Sequence, residues 1–175
     1  MTEDVKVIEA KENKDNREYF LNIVKTDPLL IEWANEEIRN DKEVVLEAVK
    51  TNGGALEFAS DELKDDKDVL LEATKNAGWT ICYSSERLKR DKNIMMSAVS
   101  NDGQALYYAS QELRDDKEIV KIAVLNKPII LKYASLRLRS DKEIATEVLR
   151  QNKKCIEFLS EGLQKDPEIL KMLEE

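Results

Sequence analysis

The sequence predicts an all-α solenoid of about six 25-residue two-helix repeats, closed by a C-terminal half-repeat cap. Three observations carry the prediction. An Asp-Lys pair opens segments at Asp41, Asp66, Asp91, Asp116 and Asp141, each 25 residues after the last. Within each segment, positions 4, 5, 8 and 9 are apolar or small, as in Val44, Val45, Ala48 and Val49, which is the spacing of one helical face. A tight break, written TNG, NAG or NDG, follows near position 11 and separates that helix from a second one.

In chain order, residues 1–15 are a lead-in or N-terminal cap. Six copies follow at 16–40, 41–65, 66–90, 91–115, 116–140 and 141–165, the first a degenerate one opened by Asn16-Arg17. Residues 166–175 form the capping helix, opened by Asp166-Pro167. The aspartate at position 1 is placed to accept the free amides of the first turn, and an acid at position 3 suits the positive end of the helix. Pro167 directly after Asp166 supports this placement, because proline fits the first helical position and has no amide to leave unpaired.

Position 13 reads Pro28, Gly53, Gly78, Gly103, Pro128 and Lys153. Proline cannot take the positive φ of a glycine cap, so this column begins the second helix, with N-caps at Asp27, Asn52, Asp102 and Asn152. The second helix is expected to bury positions 16, 19 and 23, as in Leu56, Ala59 and Leu63. Position 18 is always aromatic: Trp33, Phe58, Tyr83, Tyr108, Tyr133 and Phe158. A stacked core ladder is the expected role of this column, in preference to an aromatic box for a cofactor. Position 20 is Ser in five copies and Asn35 in the first; such a side chain bonds local backbone and bends or breaks a helix, leaving a short or 3₁₀-like last turn.

The repeat D-K-E-[VI]-V-L-x-A-V-K-x-N-G-x-A-L-x-[FY]-A-S-x-E-L-[KR]-D, followed almost throughout by residues 41–65 and 91–115, resembles the family known as domain of unknown function 4116. The resemblance covers residues 16–165 and implies a helical repeat of the kind found in bacterial and protist proteins, without an assigned activity. It carries no functional residues over. The fifth copy departs most from the pattern, with KIAVLNKPIILKYASLRLR in place of the acidic version.

Composition narrows the chemistry. No histidine is present, which excludes Ser-His-Asp, Cys-His and histidine-metal arrangements, and there is no phosphate-cradling glycine motif. Asp65, Asp66 and Asp68 lack the alternating ligands, central glycine and terminal Glu of a calcium loop, so Asp66 is a cap and the other two are solvated charge. Cys82 lies in a column that elsewhere holds Glu57, Tyr107 and Lys132 and is expected to be exposed; Cys155 replaces Ala55 and Ala105 and is expected to be buried. Neither has a base nearby in sequence, and no paired cysteine spacing suggests a metal site. A metal-dependent enzyme built on carboxylates would need inward acids, and the core columns hold none. The expectation is a protein with no enzymatic activity, cofactor or metal.

No apolar run approaches the ~20 residues of a membrane span, and no secretion signal is evident, so a cytoplasmic location with reduced thiols is expected. A formal net charge of −8 argues against bulk affinity for nucleic acid or an anionic membrane. A protein or peptide is the expected partner, with the chain itself a monomer or weak dimer. The alternatives are an acidic inhibitor occupying a nucleic-acid site of another protein, or a structural fragment of a larger repeat protein.

Repeat proteins bind through columns that vary while their core columns stay constant. Positions 14, 17 and 21 lie opposite the buried face of the second helix. They read Leu29, Glu32, Glu36 in the first copy and Gly54, Glu57, Asp61 in the second. They become Trp79, Cys82, Glu86, then Gln104, Tyr107, Gln111, then Ile129, Lys132, Leu136, before turning charged at Lys154, Glu157, Glu161. Trp79, Cys82, Gln104, Tyr107, Ile129, Lys132 and Leu136 are therefore the candidate contacts for a partner. Charge adds a second candidate feature: residues 41–65 carry three cations against seven acids, whereas residues 116–140 carry six against two. Lys121, Lys127, Lys132, Arg137 and Arg139 are placed to face an acidic partner or, alternatively, to offset neighbouring acids, while Ile122 and Leu125 put apolar residues in columns that are usually polar.

Overall fold

Each copy starts where an aspartate caps a helix. In the computed structural model, which describes residues 3–174, Asp41 accepts hydrogen bonds from the amides of Glu43 (3.0 Å) and Val44 (3.2 Å). The helix Lys42–Thr51 follows. Asp66, Asp91, Asp116 and Asp141 cap Lys67–Asn76, Lys92–Asn101, Lys117–Asn126 and Lys142–Gln151 in the same way. Asn16 caps Arg17–Ile23 through the amide of Tyr19. Asp166 accepts from Glu168 and Ile169 at the start of Pro167–Glu174. A helix, Glu3–Glu12, precedes the first copy. The described residues contain no strand.

The second half of the copy is not one helix. After Asn52 turns the chain into extended backbone, residues Gly53–Phe58 form a 3₁₀ helix whose first turn is tied by the Asn52 side chain to the amide of Gly54. Ala59 is extended again, and Ser60 then caps a four-residue α-helix, Asp61–Lys64, by accepting from the amide of Leu63. Asn35, Ser110 and Ser135 do the same in their copies. The 3₁₀ helices begin at Pro28, Gly53, Gly78, Gly103, Pro128 and Lys153, the column expected to open the second helix. The third copy closes differently: Asp65 accepts from both the amide and the hydroxyl of Ser85, and a second 3₁₀ turn, Leu88–Arg90, replaces the short α-helix.

The winding of this segment decides which side chains face inward. With three residues per turn, positions i and i+3 eclipse, giving three rows in place of the graded faces of an α-helix. Positions 13, 16 and 19 form the inward row, seen in the buried Gly53, Leu56 and Ala59. Positions 14 and 17 form the outward row. Positions 15 and 18 form the third, buried at Ala55 and half-buried at Phe58. All six aromatic residues of position 18 are half-buried, so the column expected to be a core ladder is the rim of the core. The enclosed side chains are those of positions 4, 5, 8 and 9 together with positions 15, 16, 19 and 23.

The chain divides into two compact units, residues 1–88 and 89–175. In the first unit, the 3₁₀ helices of copies one to three stack in order and the long helices of copies two and three pack together. In the second unit, the 3₁₀ helices of copies four to six stack likewise, beside the long helices of the same copies and Pro167–Glu174.

Consecutive copies are also clasped by the residue pair that marks the period. Lys92 reaches Asp116 at 2.8 Å and Glu118 at 2.9 Å in the next copy. Lys117 holds Asp141 and Glu143, Lys142 holds Asp166 and Glu168, Lys42 holds Asp66 and Asp68, and Arg17 holds Asp41 and Glu43. One oxygen of each aspartate thus caps its own helix while the other binds the preceding copy. These carboxyls lie below the ordinary aspartate value. At Asp41 the Arg17 hydrogen bond is the main cause. At Asp66, Asp116 and Asp141 burial pulls upward, but the lysine and the two amides outweigh it.

A depressed folded-state pKa contributes stability above the unfolded value, about 3.9, and the contribution is lost as pH falls through the folded value. The urea midpoint is therefore expected to be flat from about pH 7 to 5 and to drop below about pH 4. Asp116→Ala, which removes cap and clasp together, is expected to cost ~1–2 kcal/mol in urea denaturation. Asp116→Asn keeps a capping acceptor and is expected to cost less than ~1 kcal/mol. Equal losses for the two variants would show that capping contributes nothing.

Candidate functional site

The outward row of the 3₁₀ helices, with position 21 of the following short helix, is where the variable residues lie. In the first unit Leu29, Glu32, Glu36, Glu57 and Asp61 are exposed. Trp79 is 43% exposed, with its indole edge-on to Tyr83 at 5.8 Å between centroids. Gly54, counted from the sequence in the outer row, is buried: a methyl group there would lie 3.4 Å from Cζ2 of Trp79. That is ordinary van der Waals contact, so the Trp79 ring lies against the neighbouring copy beside Gly54. Cys82, expected to be exposed, is half-buried.

Tyr83, beside Trp79, is pushed up to about 12, first by burial and then by the charge and hydrogen bond of Glu57. It therefore stays a neutral phenol at physiological pH. Trp33, expected between helices, is half-buried with the Lys11 ammonium 3.9 Å from its ring centroid. Its place on the 15/18 row accounts for the difference, since that row leaves the core at its second member.

In the second unit Gln104, Tyr107, Ile129, Lys132 and Leu136 are all exposed, Leu136 most of all at 65%. Tyr107 meets Tyr108 and Tyr133 edge-on, each at 5.0 Å between centroids. Lys132 lies over the Tyr133 ring at 4.9 Å. Besides Lys117, three of the cations of residues 116–140 are engaged within the chain. Lys121 binds Glu143 at 2.6 Å. Arg137 binds the side chain of Asp115 at 2.9 Å and its carbonyl at 2.5 Å. The Nε of Arg139 donates to the carbonyl of Phe158 at 2.5 Å.

The repeat geometry agrees with a family match. The family described as Domain of unknown function (DUF4116) matches residues 16–64, 41–89, 91–139 and 116–164. The chain belongs to this family. Each match spans nearly two copies, and the starts at 16 and 41, and at 91 and 116, are one period apart. No curated protein and no solved structure matches the chain.

Among the described residues there is no group of three or more Cys, Asp or Glu side chains arranged to hold a metal ion. Cys155 is buried, and burial, followed by the charge of Glu157, pushes its thiol up and away from reactivity. No described helix is long and apolar enough to cross a membrane. The cations Lys153 and Lys154 were not among the contacts singled out from the sequence. Lys154 lies on the outward row that the spacing specifies, whereas Lys153, at position 13 of the inward row, is exposed only in this last full copy.

Proposed function

We propose that the chain is a non-catalytic helical-repeat module that binds a protein or peptide through positions 14, 17 and 21 of its copies. One observation carries this. Among the described residues nine large apolar side chains are well exposed: Val5, Ile8, Leu29, Trp79, Tyr107, Leu125, Ile129, Leu136 and Leu170. Five of these, Leu29, Trp79, Tyr107, Ile129 and Leu136, fall on those three of the 25 positions. Apolar groups held on rigid backbone and facing water are the usual anchors of interfaces.

The two tryptophans test the proposal. Trp79→Ala is expected to leave the melting temperature nearly unchanged and to weaken capture of a partner from the source cell about tenfold or more. Trp33→Ala is expected to lower stability by ~1–2 kcal/mol, less than a fully buried aromatic would cost. In acrylamide quenching of the single-tryptophan variants, Trp79 is expected to be the more accessible of the two. Capture that survives both Trp79→Ala and Leu136→Ser would refute the proposed face.

A further inference from the structure

Four lysines of the second unit, Lys127, Lys132, Lys153 and Lys154, lie along one face with its apolar anchors. Stacking of Gly103–Tyr108, Pro128–Tyr133 and Lys153–Phe158 sets two eclipsed rows side by side. One row runs Gln104, Ile129, Lys154 and the other Tyr107, Lys132, Glu157, with Lys127 and Lys153 at the edge. Lys127, Lys132 and Lys154 form no ion pair among the described residues, and Lys153 donates to the carbonyl of Leu173 at 3.1 Å, which leaves its charge uncompensated. Three carboxylates share the face, Asp102, Glu157 and Glu161, and Asp102 is turned to the amide of Gln104 at 2.9 Å. The surplus is positive although the chain as a whole carries −8.

We infer that this face of the second unit receives an acidic peptide segment that also carries apolar side chains. The inference rests on the interaction-module reading above and names the partner class for this one unit. Carboxylates of the segment meet the lysines, and its apolar residues cover Ile129 and the edge of Tyr107. A nucleic acid would satisfy the lysines equally, but it would leave aliphatic Ile129 facing sugar and phosphate. The overall negative charge would oppose it as well. Lys121 and Arg137 do not contribute, because Glu143 and Asp115 already hold them.

The test is selection of a random dodecapeptide phage library on the immobilised full-length chain, with oligo-dT of matched charge binding as the comparison. The expected outcome is enrichment of sequences containing Asp or Glu beside Leu, Ile or Phe. Their synthetic peptides should weaken at least about tenfold when Lys127→Glu, Lys132→Glu, Lys153→Glu and Lys154→Glu are combined, and also on raising salt. Ile129→Ser should weaken them by a similar factor with the lysines intact. The exposed substitutions should leave the circular dichroism spectrum unchanged; if the quadruple variant misfolds, the Lys132→Gln, Lys154→Gln pair gives the same readout at smaller amplitude. Peptides insensitive to the lysines but lost on Trp79→Ala would overturn this inference and leave the module proposal standing. Enrichment of no peptide would overturn this inference, while the module proposal stands or falls on capture by the Trp79→Ala and Leu136→Ser variants. Tighter binding of oligo-dT than of any peptide, lost on charge reversal, would assign the face to nucleic acid and overturn the inference alone.

Discussion

Deleting residues 116–140 is expected to leave a folded, shorter protein with a cooperative thermal transition, whereas deleting residues 116–127 alone is expected to abolish that transition. The first deletion removes one full copy from within the second unit. It brings Lys92 against Asp141 and Glu143, the same pair of acid types it holds now at Asp116 and Glu118. Asp141 keeps its own capping bonds to Glu143 and Ile144, and position-20 Ser160 takes the place of Ser135 in the backbone bond to Arg114. The clasp, the caps and the backbone bond across the new junction have counterparts in the intact chain, while the Arg137–Asp115 pair and the Gly103–Asn126 bond are lost, so the cost is one copy's share of a stability summed over neighbours plus those two contacts.

The second deletion removes the long helix Lys117–Asn126 and leaves its 3₁₀ partner. Ile119, Val120, Ala123 and Val124, all fully buried, disappear together and nothing of matching shape replaces them. At roughly 1.5–3 kcal/mol for each fully buried Val or Ile, the loss is of the order of a whole domain's stability. Circular dichroism with thermal melts distinguishes the outcomes. Two equally folded deletion products would mean that the 25-residue copy is not the unit of stability.

How much of this was legible in the sequence depended on the range of the interaction. The caps were legible because Asp at position 1, an acid at position 3 and the apolar run that follows are neighbours, and their bonds close within three residues. The break at Ser60 and its equivalents was signalled by serine's habit of bonding local backbone. That the residues before it wind three to a turn was not, since alanine, leucine and phenylalanine are as much at home in an α-helix.

The outer row survived that misjudgement and the aromatic column did not, for one geometric reason. Positions 14 and 17 point outward under either winding, whereas position 18 moves from the core to its rim when the turn tightens. The lysine clasp was invisible for a different reason. Lys92 and Asp116 are 24 residues apart in sequence, and only the stacking distance of two copies brings them to 2.8 Å. The same holds for Arg137 and Asp115, so the cations of residues 116–140 looked freer on paper than they are.

Gly103→Ala is expected to destabilise the protein by about 2–3 kcal/mol, the upper part of the range for inserting a methyl group into a packed interface. The reason is a close approach of backbone between copies. No described residue has a positive φ, so glycine is not required here by conformation. A Cβ at 103 would instead press into the carbonyl oxygen of Ala123 in the next copy's long helix, well inside van der Waals contact, and would lie 3.3 Å from Oδ1 of Asn126. The first is backbone held in a helix and cannot rotate away. The second is the acceptor of the Gly103 amide, at 3.0 Å, so relieving the clash by moving the turn also breaks that bond. Gly53 stands in the same relation to the carbonyl of Ala73 and predicts an equal effect in the first unit.

Pro28 and Pro128 occupy the same column with a Cβ, which makes the tight approach a property of the Gly53 and Gly103 interfaces and not of position 13 in general. Gly162 supplies the control. It lies in the short helix Glu161–Gln164, where an added methyl group would meet nothing within 4 Å, so Gly162→Ala is expected to be neutral or to stabilise by up to ~1 kcal/mol through helix propensity. Urea denaturation of the three alanine variants is the measurement. Stabilisation by Gly103→Ala comparable to that of Gly162→Ala would show that the copies are not in backbone contact at this point.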